Sequence, residues 1–172
     1  MTMNIPVYTE INDFYKAIGS SNRTKYSDFD MTRLELMNLK NFNSFKEFKN
    51  GFYHITFIKS GRNGSPNNLK FCAPGQITPY QIPTISRGFW ICFKPEFINT
   101  FSDIKNEFIF FNGDEVEPLQ ISHKEEQVIT DYFEKIFEEF KSTNPYKMHT
   151  IKFLFCSLLY YCKSLYELNV MP

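Results

Sequence analysis

Three histidines and four cysteines come first, because imidazole and thiol carry most acid–base, nucleophilic and metal chemistry near neutral pH. The histidines are His54, His123 and His149, and none stands at HxH, HxxxE or HExxH spacing. Metal ligands must converge within a few ångströms, so this spacing predicts no metal centre. The cysteines are Cys72, Cys92, Cys156 and Cys162, with no CxxC pair among them. That usage fits reduced thiols in the cytosol rather than a disulfide framework or a zinc site, and it places the chain in the cytoplasm. Cys92 falls in an apolar strand-like run, and Cys156 and Cys162 fall on an apolar helical surface, so these three read as packing residues. No GxSxG, GxGxxG or GxxxxGK[ST] occurs, and the glycines at 61 and 64 mark a turn. Glu115 and Glu117 alternate as the outward side of an edge strand would. The residue types therefore predict no catalytic group, no metal and no cofactor.

Aromatic surface is what the chain has in excess. Of 172 residues, 20 are Phe and 10 are Tyr, against one Trp. A hydrophobic fraction of 42% excludes global disorder. The 19 basic and 19 acidic residues cancel, which argues against these residues gripping a polyphosphate. No apolar run approaches the ~18 residues of a membrane-spanning helix, so no membrane partner is expected. The opening MTMNIPVYTEINDFYK lacks the pattern of a signal peptide.

Any such surface has to be positioned by elements. Ile11, Phe14, Tyr15 and Ile18 recur at helical spacing before Gly19, while 20–30 reads as polar turn. Strands are expected at 33–42, 51–61, 69–77, 88–94, 107–111 and 115–121, separated by Gly, Pro and Asn turns. In the second, Tyr53, Ile55 and Phe57 alternate onto one face and His54, Thr56 and Ile58 onto the other. The segment 95–101 starts on Pro95 and suits one or two helical turns, and Pro79 and Pro83 keep 78–87 at an edge. Strands at this spacing point to a small barrel or sandwich. Tyr53, Phe57, Phe71, Tyr80 and Trp90, with Phe89 and Phe93, would stand near its walls. Aromatic walls with a few polar groups suit a small organic ligand, or they simply fill the barrel.

The last third reads as two helices. Ser122 and Glu125 form a capping box, followed by the stripe Ile129, Tyr132, Phe133, Ile136, Phe137 and Phe140. Asn144-Pro145 then opens a helix over about 146–168 that is apolar nearly all round. A helix of that kind must be covered nearly all round, and one small domain covers one side. The other side calls for a second copy or a further domain.

The order GFYHITFIKSG, FCAPGQI, GFWICFKPEFI and then two helices resembles the N-terminal regulatory domain of AraC/XylS-type transcriptional regulators. The matching positions are Gly61, Pro74-Gly75-Gln76, and Gly88-Phe89-Trp90 through Phe93, Glu96 and Phe97; the leader IPVYTEINDFYKAIG is similar too. The resemblance implies a mainly β fold, a cupin-like double-stranded β-helix barrel, followed by a two-helix antiparallel dimerisation unit. It implies a leader over 1–30, the barrel over 31–121 and the helices over 122–172. It also implies a bacterial, non-catalytic sensor of a small molecule that dimerises through its last helix, with Leu154, Leu158, Tyr161 and Leu165 at the seam. DNA contact would come from a helix-turn-helix domain expected beyond Pro172. The hairpin that the family usually places between Gly61 and Pro74 is shortened here. The alternatives are a cupin-type isomerase or metal-dependent oxygenase, and an interaction module with a filled barrel.

Overall fold

Period-two alternation of side chains decides how this chain layers, because its central strands are apolar on one side and polar but buried on the other. The computed structural model describes residues 5–37, 47–59, 67–79, 87–101, 103–113 and 118–170. Strand β1 (Val7–Tyr8) leads into helix α1 (Ile11–Ala17), then β2 (Phe29–Arg33), β3 (Glu47–Asn50), β4 (Tyr53–Lys59), β5 (Asn68–Cys72), β6 (Ile77–Pro79) and β7 (Arg87–Phe93). A short helix α2 (Ile104–Glu107), strand β8 (Leu119–Gln120) and the long helices α3 (His123–Lys141) and α4 (Lys147–Val170) complete the order. Among the described residues the strands form two open sheets rather than a closed barrel. One has five antiparallel strands in the order β2-β7-β4-β5-β8; the other has three, β1-β3-β6, with β1 parallel to β3.

The five-stranded sheet is covered on both faces. One face packs with α3 and α4 into the larger core, where Phe57 and Phe89 each stack on Phe133 at 5.2 and 5.3 Å and Phe93 meets Phe155 edge-on. The other carries Trp90 and Cys92 into a second cluster with Ile11, Phe14, Tyr15 and Ile18 of α1 and Phe48 of β3. The leader is thus part of the packed body. Lys94 reaches both carboxylate oxygens of Glu10 at 2.9 Å, and the Asn12 amide exchanges two hydrogen bonds with the Thr24 backbone.

Gly88 lets β4 and β7 approach. Its φ is +140°, and a Cβ there would sit 1.9 Å from the Phe57 carbonyl oxygen. Gly75, at φ +82°, makes the turn after β5, where its N–H donates to the Asn50 carbonyl.

Two expected strands differ. Strand β2 ends at Arg33, where a strand over 33–42 was expected to begin; Leu34–Leu36 is a 3-10 turn and 38–42 lies outside the described residues. Asp30 and Thr32 hide the strand from a hydropathy reading, yet both are buried, Asp30 against Tyr15 of α1 and Thr32 accepting from the Asn22 amide. Instead of a strand at 107–111 the chain forms α2 and a 3-10 turn over Ile109–Phe111. Asp103 starts this stretch by accepting from the Asn106 N–H, and Phe108, Phe110 and Phe111 all turn inward, which no alternating strand could do. The capping box of α3 forms as expected: Ser122 accepts from the Glu125 N–H and Glu125 accepts from the Ser122 N–H.

Candidate functional site

The two faces of the five-stranded sheet carry different chemistry. Phe29, Met31, Tyr53, Ile55, Phe57, Leu69, Phe71, Phe89, Ile91 and Phe93 belong to the helix-covered core. The alternate residues form two cross-strand rows on the α1 side. Pairing register places Asp30 beside Cys92, Cys92 beside His54, and His54 beside Cys72. The next row runs Thr32, Trp90, Thr56 and Lys70. Facing residues in such rows have their Cβ atoms about 5 Å apart, so each row is a contiguous strip of side chains.

Trp90 organises this strip. The His54 ring stacks on its indole at 4.5 Å and 12°, and Phe14 of α1 stacks on it at 5.7 Å and 9°. The indole N–H donates to the Cys92 sulfur. The Asn50 amide nitrogen lies 3.4 Å from Nδ1 of His54, while its buried Oδ1 has no hydrogen-bond partner. Beside them the Tyr15 hydroxyl donates to Asp30 at 2.5 Å.

Burial sets the protonation of these groups. It pushes His54 down to about 3, so the imidazole is neutral. It raises the Asp30 carboxyl to about 6, against the opposing hydrogen bonds from Tyr15, Thr24 and the Met31 N–H. Burial also holds the Cys92 thiol well above its usual range and lifts Cys72 to about 11, the latter against the Thr78 hydroxyl and Lys70. Asp, Cys and His stand in one row, but the Cys92 sulfur takes its hydrogen bond from Trp90 and both thiols stay protonated. What the two rows offer is hydrogen-bonding groups, one carboxyl held by Tyr15 and an indole face stacked on Phe14 of α1.

The residues expected around a ligand are divided by this geometry. Tyr53, Phe57 and Phe71 lie on the helix-covered face, Tyr53 stacked on Phe93, Phe57 on Phe133, and Phe71 against Phe110 at 4.2 Å. Trp90 lies on the opposite face, and Tyr80 lies outside the described residues. Sequence reasoning missed Asp30 and Asn50. For Asp30 a signal was present, since it sits between Phe29 and Met31 in a run that alternates. His123 and His149 are exposed, His123 with Nδ1 3.0 Å from Glu126. Among the described residues no three His, Cys, Asp or Glu side chains are placed to hold a metal ion. No helix among them is long and apolar enough to cross a membrane. The Pro74-Gly75-Gln76 turn borders an open cleft of about 490 Å3 that also takes in Lys49 and Lys105.

The second candidate surface lies on α4. Of the four seam residues expected there, Leu158 and Leu165 turn into the chain's own core, and Leu154 and Tyr161 are half-buried. The exposed face instead presents Phe153 (78% exposed), Tyr160 (47%) and Leu168 (78%), with Tyr146 (70%) just before the helix. Ser157 and Ser164, also exposed, lie between these side chains along the helix. No family model matches this chain, and no curated protein matches it.

Proposed function

We propose that this chain is the small-molecule-sensing and dimerisation module of a transcriptional regulator of the AraC/XylS type, acting without catalysis. The observation that carries the reading is the exposed aromatic face of α4. Large apolar side chains left open in a line mark an association surface, and two copies of such a helix cover one another. In the cupin-like interpretation the five- and three-stranded sheets are the two halves of one barrel, facing each other across Trp90, Phe14 and Phe48. The ligand-facing groups are then Trp90, His54, Asp30 and Asn50 rather than Tyr53, Phe57 and Phe71. Coupling would run through the strands. β4 and β7 carry His54 and Trp90 on one face and Phe57 and Phe89 on the other, and both phenylalanines rest on Phe133 of α3. A ligand that binds one arrangement of the strands better than another would shift how α3 and α4 are held, and with them any attached DNA-binding domains.

A reporter tests this directly. Fused to a helix-turn-helix domain that binds its operator only as a dimer, residues 1–172 are expected to repress transcription. Phe153→Glu, at an exposed position, is expected to relieve repression by about tenfold or more. Repression that is absent, or that survives Phe153→Glu, contradicts the reading.

A further inference from the structure

The outer side of the three-stranded sheet carries an opening of a different kind. Strand parity turns Phe48 and Asn50 of β3 inward, where both are buried, and leaves Lys49 between them facing out and half-buried. On that side an open cleft of about 490 Å3 is bounded by Lys49 and by the Pro74-Gly75-Gln76 turn. Lys105 of α2 closes it with Asn112 and Gly113, which follow the 3-10 turn over Ile109–Phe111. The strip around Trp90 lies on the inner side and shares no lining residue with this cleft.

Charge and hydrogen-bonding groups converge here. The two lysines come from elements far apart in sequence, and among the described residues neither forms an ion pair. The carboxylates of the same elements stay out of the lining. Glu47 lies one repeat away on β3, Asp103 accepts from the Asn106 N–H and amide, and Glu107 accepts from Lys163. The turn is held in place, because Oε1 of Gln76 accepts from the Ala73 N–H at 2.7 Å, its Nε2 donates to the Gly113 carbonyl, and the Gly75 N–H donates to the Asn50 carbonyl. It is also bare, since a Cβ on Gly75 would meet nothing within 4 Å. The Asn112 amide and the Gly113 N–H have no partner among the described residues and are left to donate.

We infer that this cleft binds a small organic phosphate, with Lys49 and Lys105 on the phosphate and the amides around the remainder. A phosphate monoester carries about −1.5 to −2 at pH 7, which two lysines neutralise. A longer polyphosphate needs a cationic surplus that the neutral chain lacks, and an uncharged ligand would gain nothing from either lysine. A phosphate group alone fills a small part of the cleft, so the ligand has an organic part. Occupancy would tie β3 to the segment whose Phe110 packs on Phe71 and on Tyr166 of α4. The site stands apart from pairing through α4 and from the strip around Trp90.

An NMR titration of the whole chain reads the site. Ribose 5-phosphate is expected to bind with a Kd of roughly 0.1–1 mM, the range for a few exposed charge contacts, and to shift the amides of Gly75, Gln76, Asn112 and Gly113. Ribose at the same concentration should shift none of them, and inorganic phosphate should bind at least about threefold more weakly than the ester. Lys49→Gln and Lys105→Gln should each weaken binding about threefold to fivefold, with circular dichroism as the check on folding. Lys16→Gln, exposed on α1 and outside the cleft, should leave affinity unchanged. No shift at about 10 mM ribose 5-phosphate overturns the proposal, as does binding that survives both glutamine substitutions. Shifts that sodium chloride reproduces at matched ionic strength overturn it too. Inorganic phosphate binding as tightly as the ester marks an adventitious ion only and overturns the organic ligand. None of these outcomes bears on the dimer reading, which sedimentation decides.

Discussion

Gly88 is the residue on which the sheet most depends. A methyl group at this position would meet the Phe57 carbonyl oxygen of the adjoining strand, and neither backbone can yield without parting β4 from β7. Gly88→Ala is expected to cost about 3 kcal/mol or more, read as a fall in the urea midpoint; a loss under ~1 kcal/mol contradicts the geometry. Asp30 and His54 make a paired prediction in pH. Asp30 rises from 3.8 to about 6 on folding, so between about pH 4 and 6 the folded chain keeps a proton that the unfolded chain releases, and stability falls as pH rises. His54 falls from 6.5 to about 3, so over that range the unfolded chain takes a proton that the folded chain refuses, and stability rises with pH. The two slopes oppose one another from about pH 4 to 6. Asp30→Asn should expose a stability that climbs with pH up to about 6.5, and His54→Asn one that declines between about 4 and 6. Urea midpoints across pH 3–7 check both, and equal slopes in the two variants would refute the assignment.

Elements show where local signals suffice and where packing decides. The capping box of α3 rests on residues three apart, and Ser122→Ala should lower stability by ~1 kcal/mol. Phe133 lies against both Phe57 and Phe89, and Phe133→Ala should cost about 3–5 kcal/mol, measured by thermal or urea unfolding. The capping box and the apolar stripe that carries Phe133 are written in nearby residues, and so is the alternation of β4. The strand at Phe29–Arg33 was not legible in the same way. Asp30 and Thr32 look solvated until Tyr15 of α1 bonds the first and the Asn22 amide the second, and that cover is a tertiary fact. The candidate site suffered for the same reason. Tyr53, Phe57 and Trp90 share an aromatic character, but strand parity puts Trp90 on the other side, and parity between strands becomes visible only once register is known. On α4 the apolar excess was readable, whereas which apolar face is spent on the chain's own core depends on where α3 and the sheet lie. Leu158 and Leu165 take that inner face, and Phe153, Tyr160 and Leu168 are left exposed.

At the scale of the molecule the sheet separates two differently built faces. Its α1 side encloses a polar strip around Trp90, and its other side is locked to two helices, the second of which faces outward with rings and serines. The aromatic excess is shared among the core beneath α3 and α4, the cluster around Phe14 and Trp90, and this open strip. Neutral overall charge is consistent with the proposed sensing and pairing role. The central claim is that the open strip pairs two copies of the chain. Sedimentation equilibrium at micromolar concentration tests it most directly, with circular dichroism as the check on folding. The wild-type chain is predicted to be a dimer and Phe153→Glu a folded monomer. A wild-type monomer, or a Phe153→Glu variant that dimerises with unchanged affinity, would contradict the account.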